Sequence, residues 1–156
     1  MFNEVLDGTI SFPRGKNSFI RDLAEKLNTP HEDASTIFAM LLRGEIPNTR
    51  HVIVEKVVSG IKEDWVRRFK DSVISLSKNN IIPCHVFFTS DIEVAGLFSL
   101  LIRDIKMESL VGGPLEVQYV NNLIATNLVS YEAGSKRDPF IVIEALLAKK
   151  IISQHT

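Results

Sequence analysis

Residues Pro83-Cys84-His85-Val86-Phe87-Phe88-Thr89-Ser90-Asp91-Ile92-Glu93-Val94-Ala95 decide the fold class, because they read as a buried strand feeding directly into a helix. A short apolar run rich in Val and Phe is a strand signal, and Ser90-x-x-Glu93 is a capping box that opens a helix. In nucleotide-binding α/β proteins such a junction carries glycines, since only a backbone without Cβ comes close to a phosphate or a base. Here the turn is Thr89-Ser90-Asp91-Ile92-Glu93, with a bulky Ile and two carboxylates where a phosphate or adenosine would lie. The junction looks like that of a nucleotide binder with its contacts removed.

Downstream, Val94, Leu97, Phe98, Leu101 and Ile102 continue the helix on one stripe. Val111-Gly112-Gly113-Pro114 is a loop, and Leu115 to Val120 alternates as a second strand with one solvated face. A short helix capped by Asn121 is expected over 121–131. Asp138-Pro139 then caps and opens a closing helix from Phe140 to about Ile152.

Upstream, the first 13 residues read as a hairpin with Asp7-Gly8 as its turn, ended by Pro13. A helix from about Asn17 carries Phe19, Ile20, Leu23 and Leu27. Thr29-Pro30-His31-Glu32 reads as a capped helix start, and that helix stops at Gly44. From about Thr49 to Lys78 runs the longest periodic segment. Val54, Val57, Val58, Ile61, Trp65, Phe69, Val73 and Leu76 recur every three or four residues, with a bend expected near Gly60.

The order of elements predicts an α/β layered domain: a small mixed sheet of about four strands covered by helices. A chain of 156 residues fits one such unit. A net charge of −1 supplies no field for nucleic acid or anionic membrane, and the nine Phe residues lie in apolar runs, as core residues do. The single cysteine, Cys84, excludes an intramolecular disulfide and is expected to be a buried, inert thiol. No basic, apolar leader and no run of membrane-spanning length is seen, so a cytoplasmic location is expected.

From Asp7-Gly8 through Pro13-Arg14-Gly15-Lys16, Leu27-Asn28-Thr29-Pro30-His31-Glu32 and Ala34, the chain resembles the second half of the bacterial actin-like proteins FtsA and PilM. There a hairpin with a DG turn leads to a Pro-x-Gly-Gly loop, a helix, and Leu-x-Thr-Pro-x-Glu-x-Ala-Glu. Beyond residue 35 the resemblance rests on the order of elements. The strand at 84–88 and the helix at 91–103 stand where that family has its Gly-rich adenosine loop. The stretch Arg137-Asp138-Pro139-Phe140 through Leu147 is similar to its closing Asp-Pro helix. The resemblance implies the second, C-terminal lobe of an actin-like (ribonuclease H-like) fold over residues 1–156, with a helical excursion at about 30–78. The nucleotide-binding positions depart from it. Lys16 stands at the second loop glycine, Ser35 at the ribose-contacting Glu, Phe38 at the Lys of that helix, and Ser90, Asp91 and Ile92 at the three adenosine-loop glycines. The first actin-like half has no counterpart.

Candidate sites are few. His31, His51, His85 and His155 never share metal-ligand spacing with one another or with Cys84, so no metal is expected. Asp91 and Glu93 are simplest as complements to a helix dipole, and no catalytic constellation is visible. Arg14, Gly15 and Lys16 at a helix start are the best residual anion site, against the plainer reading of a solvated loop. The long helix presents a mixed charged face, in which Glu63, Arg67, Arg68 and Lys70 are the candidate partner-binding residues.

The resulting expectation is a non-enzymatic protein-interaction or scaffold module without a cofactor, set by resemblance in cell division or type IV pilus assembly. Its partners would be other proteins, including a homodimer through the hairpin edge at 2–12, with membrane contact only indirect. The alternative is a nucleotide-binding ATPase lobe completed by a first lobe from a longer parent or a separate chain.

Overall fold

The computed structural model describes residues 10, 12–77, 82, 84–107, 113–121, 132, 134, 138 and 140–145. Four helices and two strands follow in the order α1 (Lys16–Leu27), α2 (His31–Arg43), α3 (Asn48–Ser77), β1 (His85–Phe88), α4 (Ile92–Arg103) and β2 (Glu116–Tyr119). A further helical segment covers 140–145. The described architecture is thus a mostly helical α/β arrangement with a small parallel sheet of two strands.

α1 forms because Phe19, Ile20 and Leu23 fall on one face, and all three are buried. It ends where Asn28 takes the left-handed conformation (φ 49°), which Asn tolerates better than most residues. Thr29 N–H then bonds back to the Ala24 carbonyl at 3.0 Å. α2 buries Ala34 and Phe38, and Phe38 meets Phe19 of α1 with ring centroids 5.1 Å apart. It stops at Gly44, whose φ of +70° is strained for any residue bearing a Cβ. The 30 residues of α3 make a rod of roughly 45 Å at 1.5 Å per residue. Its buried residues Val54, Val58, Ile61 and Trp65 keep the helical period and face the same core.

The two strands lie side by side with His85 opposite Glu116, Val86 opposite Val117, Phe87 opposite Gln118 and Phe88 opposite Tyr119. Parallel neighbours need a crossover, and α4 supplies it. Val86, Phe88 and Val117 turn to the core, where Val94, Phe98, Leu101 and Ile102 of α4 cover them. The opposite face, with His85, Phe87, Glu116 and Gln118, is exposed.

Several local expectations change. The capping box at Thr29-x-x-Glu32 is not formed: Pro30 occupies the cap position, no side chain caps α2, and Thr29 Oγ1 reaches Asp33 instead at 3.4 Å. Ser90 and Glu93 likewise make no capping box. Asp91 is the N-cap residue of α4, Ser90 Oγ bonds the Asp91 carbonyl, and Glu93 pairs with Lys16 of α1. In both places the side chains engage other partners in place of the helix amides. Asp138 does act at a helix start, accepting the Phe140 N–H at 2.9 Å. The hairpin at 2–12 and the helix at 121–131 lie outside the described residues, apart from residues 10, 12 and 121. The sheet therefore shows two of the four expected strands.

Candidate functional site

Two chain segments far apart in sequence meet at one cleft. The loop Pro13 to Lys16 with the first turn of α1 forms one wall, and the turn Thr89-Ser90-Asp91 with Val94 and Phe98 of α4 forms the other. Phe140 borders the opening, and the cleft encloses about 490 Å3. Each wall is held by identifiable bonds. Trp65 Nε1–H donates to the Arg14 carbonyl at 2.6 Å, and the Arg14 guanidinium pairs with Asp22 at 2.9 Å. On the other side, Val120 N–H donates to the Phe88 carbonyl at 2.7 Å and the Tyr119 hydroxyl to the Ser90 carbonyl at 3.0 Å. The end of β2 therefore fixes the turn that follows β1.

The first turns of two helices border this space, so backbone amides and dipoles there favour negative charge. The protein meets that preference with its own side chains. Lys16 Nζ pairs with Glu93 Oε1, joining α1 to α4. The hydrogen bond that Lys16 donates to Glu93 raises its ammonium above its usual range, partial burial opposes it, and the charges of Glu93 and Asp91 add to the rise. Of the residual anion site, Arg14 is committed to Asp22 and Lys16 to Glu93, and Gly15 is the N-cap residue of α1. Arg21 also lines the cleft and makes no ion pair among the described residues. Thr89 Oγ1 is shielded from solvent and has no hydrogen-bond partner among the described residues. Glu93 turns to Lys16, and the charge of Asp91 acts on the same ammonium.

The predicted partner face lies elsewhere, on the outer side of α3. Glu63, Arg67, Arg68 and Lys70 are all exposed. Asp64 organises the middle of it, bonded to Arg68 Nε at 2.7 Å and to Arg67, while Arg67 also reaches Asp71 at 3.9 Å. Desolvation pushes the Asp64 carboxyl up, but the bonds and charges of Arg68 and Arg67 outweigh it and hold the group below its ordinary value. Glu63 and Lys70 make no ion pair among the described residues.

Of the histidines, His31 is exposed and His51 lies 3.3 Å from Glu55, both consistent with surface positions. Among the described residues no group of three His, Cys, Asp or Glu side chains could hold a metal. Among those residues, too, no helix is long and apolar enough to cross a membrane. Sequence reasoning missed one constellation. Cys84 is half-buried rather than buried, and its Sγ lies 3.5 Å from His85 Nδ1. The other ring nitrogen of His85 lies 2.7 Å from Glu116 Oε2 on the neighbouring strand. Chain spacing could not show it, because Glu116 arrives only through the register of the sheet.

Comparison with known proteins gives no match: no family model, no curated protein and no solved structure is similar to the chain at a significant level.

Proposed function

We propose that this chain is a non-enzymatic protein-interaction module built like the second lobe of FtsA- and PilM-type actin-like proteins, with its nucleotide contacts replaced by internal ones. Its setting would be cell division or type IV pilus assembly, where it would bind other proteins. One observation carries the reading. The loop at 13–16 and the turn at 89–91, which the resemblance equates with two nucleotide-contacting loops, border the same cleft. Two segments 70 or more residues apart would not be expected to meet there if the resemblance were an accident of short motifs.

The chemistry of the cleft argues against a nucleotide. A triphosphate would face Asp91, and would have to draw Lys16 away from the Glu93 carboxylate that already satisfies it. Like charges held close in a partly desolvated cleft cost free energy that the amides of two helix starts must offset. Isothermal titration with Mg-ATP is therefore expected to show no binding heat. Saturable binding at micromolar affinity would overturn this reading and favour an ATPase lobe that needs a separate first lobe.

A further inference from the structure

We propose that Cys84 is a thiol-modification site that exchanges with low-molecular-weight disulfides, with His85 as proton acceptor and Glu116 as the residue that positions His85. The geometry is a chain of three groups: thiol to imidazole at 3.5 Å, imidazole to carboxylate at 2.7 Å. A carboxylate only accepts, so Glu116 Oε2 accepts a hydrogen bond from His85 Nε2–H, and in the neutral ring that bond fixes the tautomer. Nδ1 is then the bare nitrogen, and it is the one that faces Cys84 Sγ. A neutral imidazole held with its lone pair toward a thiol is a base placed to receive the thiol proton.

The position of the three groups makes the thiol reachable. Cys84 is not buried, and His85 and Glu116 lie on the uncovered face of the sheet, with side chains more than half exposed. The register that pairs His85 with Glu116 is held by the Glu116 N–H bond to the Cys84 carbonyl at 2.9 Å. The thiol, its base and the positioning carboxylate thus share one backbone hydrogen bond.

The step balances with a disulfide as the oxidant. The Cys84 sulfur attacks one sulfur of the disulfide as its proton passes to His85 Nδ1. The old S–S bond breaks, and a new one forms between Cys84 and half of the reagent. The departing thiolate carries the bonding pair and takes the proton back from His85. Cys84 is oxidised to a mixed disulfide, and one equivalent of free thiol is released. The adduct would stand at the head of the β1–β2 ladder, where its bulk presses on the first interstrand bond.

The test is the rate of mixed-disulfide formation by the full chain with oxidised glutathione at neutral pH, followed by intact mass. His85→Ala is expected to slow it about tenfold or more, in line with the loss of a positioned base. Glu116→Gln should slow it less, and Cys84→Ser should abolish it. Added free imidazole should restore rate to His85→Ala while leaving the wild type unchanged, an outcome that a merely structural role for His85 does not give. The folded wild type should also react faster per thiol than the same chain in denaturant, a comparison that needs no variant. Equal rates for wild type and His85→Ala, a loss that imidazole does not rescue, or a folded thiol slower than the unfolded one would each overturn the proposal.

Discussion

Trp65 shows how much one side chain can fix. It is 6% exposed, stacks on Phe69 with centroids 5.2 Å apart, meets Phe12 edge-on, and donates its indole N–H to the Arg14 carbonyl. The apolar period of α3 placed Trp65 in the core from sequence alone. The carbonyl it serves is 51 residues away and was not legible, since periodicity reports a face and never a distant partner. Trp65→Phe keeps an aromatic ring but leaves the Arg14 carbonyl without its donor and opens a small void. A loss of about 1–3 kcal/mol in urea unfolding is expected, the usual cost of an orphaned, poorly solvated polar group. A loss under about 0.5 kcal/mol would mean that water replaces the indole and that the loop at 13–16 is not held by it.

Between elements, the side-chain signals were the least legible. Helix positions followed from apolar spacing and, for α2, from Gly44 at its end, while the left-handed Asn28 that closes α1 was not read as a stop. The capping motifs misled because a Ser, Thr or Glu near a helix start can serve a neighbour as well as the amide. Glu93 is the informative case, since it left its own helix to meet Lys16 of α1. Both side chains are substantially exposed, so a double-mutant cycle with Lys16→Met and Glu93→Gln should give a coupling of only about 0.2–1 kcal/mol. Its pH dependence has a definite sign. The Lys16 value is raised in the folded state, so the coupling is fully present below the ordinary lysine range near ~10.4 and fades as pH rises through the higher folded value. A coupling that already vanished between pH values of roughly 7 and 9, below that lysine range, would show that Lys16 and Glu93 are not paired in solution.

At the scale of the whole molecule, the α/β class and the strand–helix–strand unit were legible, because one strand run led straight into an apolar stripe of helical period. How these elements close a cleft was not, since that depends on contacts between residues 13–16 and 89–91. The proposed interaction role turns on the outer face of α3. This helix buries Val54, Val58, Ile61 and Trp65 against the core, yet continues for three more turns with its charged side in solvent. There Arg67 and Arg68 converge on Asp64, so their charges are partly spent within the helix and the face is ordered before any partner arrives. Arg67→Gln with Arg68→Gln removes both pairs without adding repulsion, and should lower stability by no more than about 1 kcal/mol. Arg67→Glu with Arg68→Glu also surrounds Asp64 with like charge and should cost somewhat more, while leaving the helical circular dichroism of the folded chain intact. If this face steers a partner, the charge reversal must slow association more than the neutral pair does, and both effects must shrink as salt rises past the Debye screening regime. The measurement is recovery of co-purifying proteins from native lysate by the three tagged chains at low and moderate ionic strength. Equal recovery of the same proteins by all three would show that the charged face of α3 serves only to keep a long helix solvated, and that any docking surface lies elsewhere on the fold.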